Sequence, residues 1–96
     1  MTLTIKAGRD LSNLWVDVLV VAAPGQQIAS VQTVLDGAEL ATDMLGSQDS
    51  YQRVWRQVGQ SEVSATHQIV LTAVDVAGKI ESASNTFQDF GSGPLP

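Results

Sequence analysis

The single histidine, His67, is the residue best suited to proton transfer or metal binding near neutral pH. A metal site needs several ligands, and the chain has no cysteine and no second histidine to complete one. A serine hydrolase needs a nucleophile, a base and an orienting acid in one place. Ser61, Ser64 and Asp75 supply those residue types, but no Gly-x-Ser-x-Gly segment presents a serine. We therefore predict no catalytic residues and expect His67 to hydrogen-bond the backbone of the preceding loop.

The acidic residues are the next candidates, because carboxylates bind calcium and serve glycosidases. Calcium takes about six to eight oxygens, usually from clustered carboxylates, and the aspartates here are dispersed along the chain. Asp36 and Asp75 also stand at the start of glycine-containing turns, which already accounts for them. The composition alone also allows the pair of carboxylates that a glycosidase uses, but nothing in the sequence indicates a substrate-binding groove. We predict no metal, no cofactor and no enzymatic activity.

The aromatic residues could form a carbohydrate-binding platform, which needs two or three exposed rings on one face. There are five of them: Trp15, Tyr51, Trp55, Phe87 and Phe90. Tyr51 and Trp55 are four positions apart, so they share a face of any strand that holds both. Trp15 is the better candidate for exposure.

The elements that position these residues are strands, because apolar residues recur with a period of two. In the segment from Leu14 to Ala22, the even-numbered residues are expected inside because Asp17 belongs to the other set. The remaining predicted strands are 2–7, 28–35, 38–42, 51–58, 68–74 and 80–87, with 80–87 at a sheet edge. Residues 43–50 and 59–64 are predicted to be loops.

Turn signals separate these strands. They are Pro24-Gly25, Asp36-Gly37 and the segment from Asp75 to Gly78, where Gly78 is expected in the left-handed conformation. Seven short strands with such turns indicate an all-β sandwich, with a small barrel as the alternative. We expect one domain over residues 1–90 and a flexible tail or linker at 91–96.

Charge and hydropathy exclude several partners. Ten acidic against five basic residues give a net charge of −5, which offers no electrostatic footprint for nucleic acid. No apolar run approaches the length that a membrane helix needs, so we expect no membrane insertion. The first residues lack the basic start and apolar stretch of a signal peptide.

Three segments resemble bacterial immunoglobulin-like domains. Ile28-Ala29-Ser30-Val31 with Leu35-Asp36-Gly37 is similar to their "I-x-x-V…DG" element, and Tyr51-Gln52-Arg53-Val54-Trp55 to their "Y-x-x-x-W" strand. The segment from His67 to Lys79 resembles "H-x-L-x-V-x-A-x-D-x-A-G-N", with Lys79 in place of the asparagine. The resemblance implies an immunoglobulin-like seven-stranded β-sandwich with Greek-key connections, and it places Tyr51 and Trp55 inside. Such domains are non-catalytic modules of surface proteins, secreted enzymes and phage structural proteins.

The alternation of side chains along each predicted strand predicts both a core and an outer face. The core is expected to hold Val16, Val18, Val20, Val31, Leu35, Trp55, Ile69, Leu71 and Ala73. Outward apolar residues in a row exceed what a monomer needs and suggest a protein-interaction face. Its members are Trp15, Leu19, Val21, Val54 and Val58, the last two on a strand expected to pair with the first three. Scattered exposed residues of this kind are also common in monomers.

The sequence thus predicts a structural spacer or an interaction, adhesion-type module of a larger surface, secreted or phage-virion protein. Its partners would be neighbouring domains, another protein or, weakly, a second copy. Such a module would be extracellular, on the cell surface or in a virion. Two alternatives stay open: a self-contained small acidic binding or inhibitor protein, and a carbohydrate-binding accessory domain of an extracellular enzyme.

Overall fold

The computed structural model of the chain describes residues 1–10, 13–60 and 65–89. They form seven strands: β1 (Thr2–Asp10), β2 (Asn13–Val21), β3 (Ile28–Leu35), β4 (Ala38–Gln48), β5 (Ser50–Gln60), β6 (Ala65–Asp75) and β7 (Ile80–Asp89). Within these ranges there is no helix with the length and hydropathy needed to cross a membrane. The predicted tail at 91–96 lies outside the described residues, as do Ser61, Ser64 and Phe90.

The strands form two antiparallel sheets, one ordered β1-β2-β5 and the other β4-β3-β6-β7. β2 pairs with β5 and β3 pairs with β6, so strands distant in sequence are neighbours, as Greek-key connections require. β4 pairs with β3, whereas in a constant-type immunoglobulin domain the fourth strand pairs with the fifth. The prediction of an all-β, immunoglobulin-like sandwich is confirmed, and the chain does not adopt the barrel.

The core lies between the sheets, where alternate residues of β2, β3 and β6 meet. Residues of β2 alternate between buried and half-buried, with the even-numbered set inside as predicted. The buried cluster consists of Val16, Val18, Val20, Ile28, Val31, Ile69, Leu71 and Ala73. Two predicted core residues are only half-buried. Trp55 lies on β5 at the edge of its sheet, and Leu35 is the last residue of β3, so neither is enclosed on all sides.

The predicted loop at 43–50 is wrong, because β4 continues to Gln48 and only Asp49 separates it from β5. The ladder shifts between Ile28 and Ser30, which face Gln48 and Met44 respectively. Gly46, with φ +73°, lies inside this bulge, where a left-handed residue suits glycine. An edge strand pairs through its backbone and leaves side chains in solvent, so polar residues do not end it.

The predicted turns are confirmed. Asp36 and Gly37 have φ of +52° and +81°, the positive values that a tight two-residue hairpin turn requires. Gly78 has φ +88°, and its N–H donates to Asp75 O at 3.0 Å.

The connections that the structure describes lie at two opposite ends of the sandwich. At the first end, Ala22 N–H donates to Asp49 O at 2.9 Å and Val76 N–H donates to Gln27 O at 3.0 Å, which joins three connections. The second end holds the β3–β4 turn and the start of β6, linked by Asp36 N–H donating to Gln68 O at 2.9 Å. β1 starts at the first end and β7 finishes at the second.

Candidate interaction face

The outer face of the β1-β2-β5 sheet carries most of the predicted interaction residues. Odd-numbered residues of β2 point outward because the even-numbered ones are buried. The ladders place Trp15 beside Gly8, and Leu19 between Thr4 and Gln52. Val21 at the end of β2 is 41% exposed. Three of the five predicted residues therefore share one strand and one face.

Trp15 is less available for a partner than the sequence suggested, because its indole covers Gly8. A Cβ at Gly8 would lie 2.6 Å from Trp15 Cζ2, so the ring rests directly on the glycine backbone. Aromatic side chains stabilise glycines in neighbouring strands by this arrangement. Trp15 is half-buried, and only part of the ring is left for contact outside the domain.

Leu19 lines a shallow groove together with polar side chains of all three strands. The other lining residues are Thr4, Lys6, Asp17 and Gln52. Gln52 Nε2 donates to Asp17 Oδ1 at 3.3 Å, which links β5 to β2 across the groove floor. The centre of the outer face is therefore mixed in polarity, with Asp17 interrupting the apolar row.

The two predicted members on β5 point in opposite directions. Val54 is 44% exposed and lies opposite Asp17, diagonal to Leu19 on the outer face. Val58 instead packs against the core, so its predicted outward placement is wrong. Val16 lies opposite Trp55 but Leu14 lies opposite Gly59, so Val58 falls in a stretch of β5 where the pairing with β2 is interrupted and simple alternation does not set the side that a residue faces. The outer face thus comprises Trp15, Leu19, Val21 and Val54.

His67 lies at the second end, where its Nδ1 is 2.6 Å from Asp36 Oδ2. Its ring also stacks on Phe87, with ring centroids 6.2 Å apart. The described contact is thus a side chain of the β3–β4 turn, whereas the sequence predicted the backbone of the preceding loop. The second Asp36 oxygen accepts the Gln68 N–H at 2.9 Å. Partial burial raises the pKa of Asp36, but the hydrogen bonds from His67 and Gln68 outweigh it and hold that pKa below its usual value.

A third cluster joins the edge strands β4 and β5 of opposite sheets. The Tyr51 hydroxyl donates to the Asp43 carboxylate, and Arg53 Nη1 lies 3.0 Å from both oxygens of that carboxylate. The Arg53 guanidinium also sits 4.9 Å from the centre of the Trp55 ring. Burial and the Asp43 carboxylate raise the pKa of Tyr51 to about 12, so the phenol stays protonated as a donor. Sequence reasoning missed this cluster, although Tyr51, Arg53 and Trp55 share one strand face.

Asp75 and Asp49 are engaged in similar structural contacts. Asp75 is 4% exposed and its Oδ1 accepts the N–H groups of Ala77 and Lys79 at 2.9 and 2.8 Å. Gln27 Nε2 donates to Asp49 at 3.5 Å. Over residues 1–10, 13–60 and 65–89, no three His, Cys, Asp or Glu side chains come together as metal ligands would.

Comparison with known proteins adds little at the level of family. No protein-family model matches the chain. No curated protein matches it either. Among solved structures, the chain is similar to fibronectin(III)-like modules of Clostridium thermocellum CbhA, at 17% identity with a TM-score of 0.47. The likeness covers 92% of this chain and 96% of that chain.

Proposed function

We propose that the domain is a non-catalytic module of a larger surface, secreted or phage-virion protein, where it spaces or joins neighbouring domains. The observation that carries this proposal is the position of the first and last strands. Thr2 of β1 pairs with Val21 at the first end, and Asp89 of β7 pairs with Ala65 at the second. A chain that passes from one end to the other separates whatever is attached to its two ends.

The polar side chains support a non-catalytic role. The carboxylates of Asp36, Asp43 and Asp75 each bind donors from another strand or from a turn of the same domain. These contacts connect β3 to β6, β4 to β5, and the two arms of the β6–β7 hairpin. Groups committed in this way hold the sandwich together and are poorly placed to exchange protons with a substrate.

The outer face of Trp15, Leu19, Val21 and Val54 supports a weak contact with a neighbouring domain. Two of its members, Val21 and Val54, are 41% and 44% exposed and offer apolar surface to a partner. The face is small and interrupted by Asp17, which places any contact near or below the roughly 800 Å² typical of crystal packing.

A tandem of two copies of the chain tests the spacer role by small-angle X-ray scattering. If the domain is a spacer, the maximum dimension of the tandem is close to twice that of one copy. Each copy in the tandem also unfolds cooperatively. A tandem with the dimension of a single copy, because the copies pack side by side, would contradict the role.

Two substitutions in both copies then test the outer face. Leu19→Lys places a charge in the face, and Met44→Lys is the matched control because Met44 is 78% exposed on the other sheet. If neighbouring domains touch through the outer face, Leu19→Lys alone broadens the distribution of distances between the copies. If the two variants give the same distribution of distances between the copies, the outer face is not a contact between neighbouring domains.

A further inference from the structure

The two ends of the described chain lie at opposite ends of the sandwich, so a pull on them runs along the first and last strands. Thr2 of β1 pairs with Val21 at the first end, and Asp89 of β7 pairs with Ala65 at the second. A pull therefore draws β1 along β2 toward the first end and β7 along β6 toward the second. The hydrogen bonds of an antiparallel ladder are perpendicular to its strands, so such a pull loads the bonds of a ladder together.

The two ladders that this pull loads are the regular ones. β1 pairs with β2 over nine consecutive residue pairs and β7 with β6 over ten, with no register shift in either ladder. The other described ladders contain shifts: β2–β5 between Leu14 and Val16, β3–β6 between Ile28 and Ser30, and β3–β4 at two places. A bulge leaves a residue unpaired and disrupts the ladder around it. An unbroken ladder therefore shares a load over more bonds than an interrupted one.

β1 and β7 also contact each other directly, although they belong to opposite sheets. Asn85 Nδ2 on β7 donates to the Ile5 carbonyl on β1 at 3.1 Å. The Met1 amino group makes a second contact, at 2.7 Å from Glu81 Oε2. A domain attached before Met1 would turn that ammonium group into an uncharged amide, so the Asn85 contact is the one that a longer chain keeps. Because a pull moves β1 and β7 in opposite directions, this contact opposes their movement past each other.

Trp15 prevents β1 from sliding along β2 in small steps. Its indole lies on Gly8, where an added Cβ would be 2.6 Å from Cζ2 and 2.8 Å from Cε2. A displacement of β1 by two residues would replace the glycine beneath the ring by a residue whose Cβ collides with it. A displacement by one residue would turn the inward side chains of β1 outward. The β1–β2 ladder must therefore break as a whole.

We propose that the domain bears tension along its strands, with the β1–β2 and β6–β7 ladders carrying the load and the contact between β1 and β7 joining them across the two sheets. The tension would come from whatever is attached to the two ends, so this inference rests on the module role proposed above. The resistance to the tension, however, belongs to this chain alone. A single copy held at its two ends is therefore enough to test it.

Force spectroscopy of a single copy compares two directions of pull. In the first, the handles are attached at the two ends of the chain, which loads both ladders lengthwise. In the second, one handle stays at the end that follows β7, and the other is attached through Ala38→Cys in a chain that has no other cysteine. Ala38 is exposed at the start of β4 and pairs with Leu35, so both handles then lie at the second end. This second pull opens the sheet one residue pair at a time.

The two directions are expected to give different unfolding forces from the same fold, because forced unfolding follows the unfolding rate and not the equilibrium stability. At equal loading rate, we expect the end-to-end force to be at least about threefold higher than the force measured from Ala38. Bonds are loaded together in the first direction and singly in the second. Equal forces in the two directions would overturn the proposal.

Asn85→Ala tests the contact between β1 and β7, because it removes the donor to the Ile5 carbonyl. Ser84→Ala is the matched control, since Ser84 is the preceding residue of the same strand and both residues are exposed. We expect Asn85→Ala to lower the end-to-end force and Ser84→Ala to leave it unchanged. The same end-to-end force in both variants would show that the two ladders are not joined through Asn85.

Trp15→Val tests the restraint on β1, because it removes the ring above Gly8 and keeps a residue that favours strands. We expect a lower end-to-end force, because β1 can then slip along β2. The force measured from Ala38 should stay the same, since that pull runs through the other sheet. An unchanged end-to-end force would contradict the restraint. Should this variant fold poorly, the comparison of the two directions in the natural sequence still decides the proposal.

The tandem scattering experiment and the force measurement can fail separately. Copies that pack side by side in the tandem contradict the spacer role, but the resistance of one copy to a pull is still measured. A domain that holds its neighbours apart and yet unfolds at the same force in both directions keeps the spacer role and loses the load-bearing one.

Discussion

The two hairpin turns of the β4-β3-β6-β7 sheet each begin with an aspartate, yet the two carboxylates do different work. Asp75 is nearly buried, and its carboxylate accepts two N–H groups of its own turn, from Ala77 and Lys79. Asp36 is exposed, and its carboxylate reaches away from its turn to His67 and Gln68 on β6. One aspartate thus closes a hairpin, whereas the other fastens a hairpin to a neighbouring strand.

The difference follows from the turn geometry. In the β6–β7 turn, Gly78 takes the left-handed conformation, and the Asp75 side chain folds over the N–H groups ahead of it. In the shorter β3–β4 turn, Asp36 itself has φ +52°, which turns its side chain toward the next strand of the sheet. The sequence can predict a carboxylate that accepts hydrogen bonds from its own turn, but it cannot predict one that binds a strand distant in the chain.

The largest effect is expected from removing the Asp75 carboxylate. Asp75→Ala leaves the N–H groups of Ala77 and Lys79 without their acceptor, and we expect it to lower the free energy of unfolding by about 2–3 kcal/mol. Asp75→Asn keeps an oxygen at that position and is expected to lose much less. Urea denaturation of both variants measures the difference. Equal stability of Asp75→Ala and the natural sequence would show that the turn holds without its side chain.

The glycines of the two turns are expected to behave alike, in contrast to the aspartates. Gly78 and Gly37 have φ of +88° and +81°, and an added Cβ would meet no described atom within 4 Å at either position. The cost of a side chain is therefore conformational, and Gly78→Val and Gly37→Val should each lose about 1–2 kcal/mol. Thermal denaturation followed by circular dichroism compares them. A much larger loss in one variant would point to a contact beyond the backbone.

Local patterns and long-range contacts explain what the sequence could and could not predict. Alternation within β2 predicted its buried residues, since Asp17 identified the outer set, and the turn residues predicted both hairpins. The continuation of β4 to Gln48 was missed because backbone pairing at an edge leaves no hydrophobic pattern. Val58 lies within a register shift of the ladder between β5 and β2, a distant strand, where alternation along β5 no longer sets the side that a residue faces. No local signal reveals such a shift.

The Asp36–His67 contact is of this long-range kind. The two residues are 31 positions apart and meet because β3 pairs with β6 in a register that sets Leu35 opposite Ile69. The sequence predicted a structural role for Asp36 and another for His67, but it did not predict that the two side chains meet. Their pairing became visible only with the sheet order, which no segment of the chain encodes by itself.

The Asp36 contact gives a smaller, pH-dependent effect than the Asp75 contact. Asp36→Asn tolerates positive φ and keeps an acceptor for Gln68, so it removes mainly the charge beside His67. Because the contact is exposed, we expect a loss of roughly 0.5–1 kcal/mol at pH 5.

The sign of the pH dependence follows from the lowered pKa of Asp36. The folded state favours the ionised carboxylate, so its contribution is present above the pKa of the unfolded chain and is lost as the pH falls through the folded value. The gap between the natural sequence and Asp36→Asn should therefore narrow from pH 5 to pH 2.5 in urea denaturation. A gap that widens on acidification would contradict the assignment.

The smallest effect is expected from a substitution at Lys79. This substitution tests whether the β6–β7 turn depends on anything other than the Asp75 carboxylate and the backbone. Lys79 donates its N–H to Asp75 Oδ1 and accepts the Asp75 N–H with its carbonyl, so its contribution to the turn is made by main-chain atoms. Its side chain is exposed. Lys79→Asn keeps both main-chain groups, and we expect a change below about 0.5 kcal/mol in either direction in the same urea titration. A loss comparable to that of Asp75→Ala would mean that the lysine side chain takes part in closing the hairpin, and the contrast between a self-contained turn and one tied to its neighbour would fail.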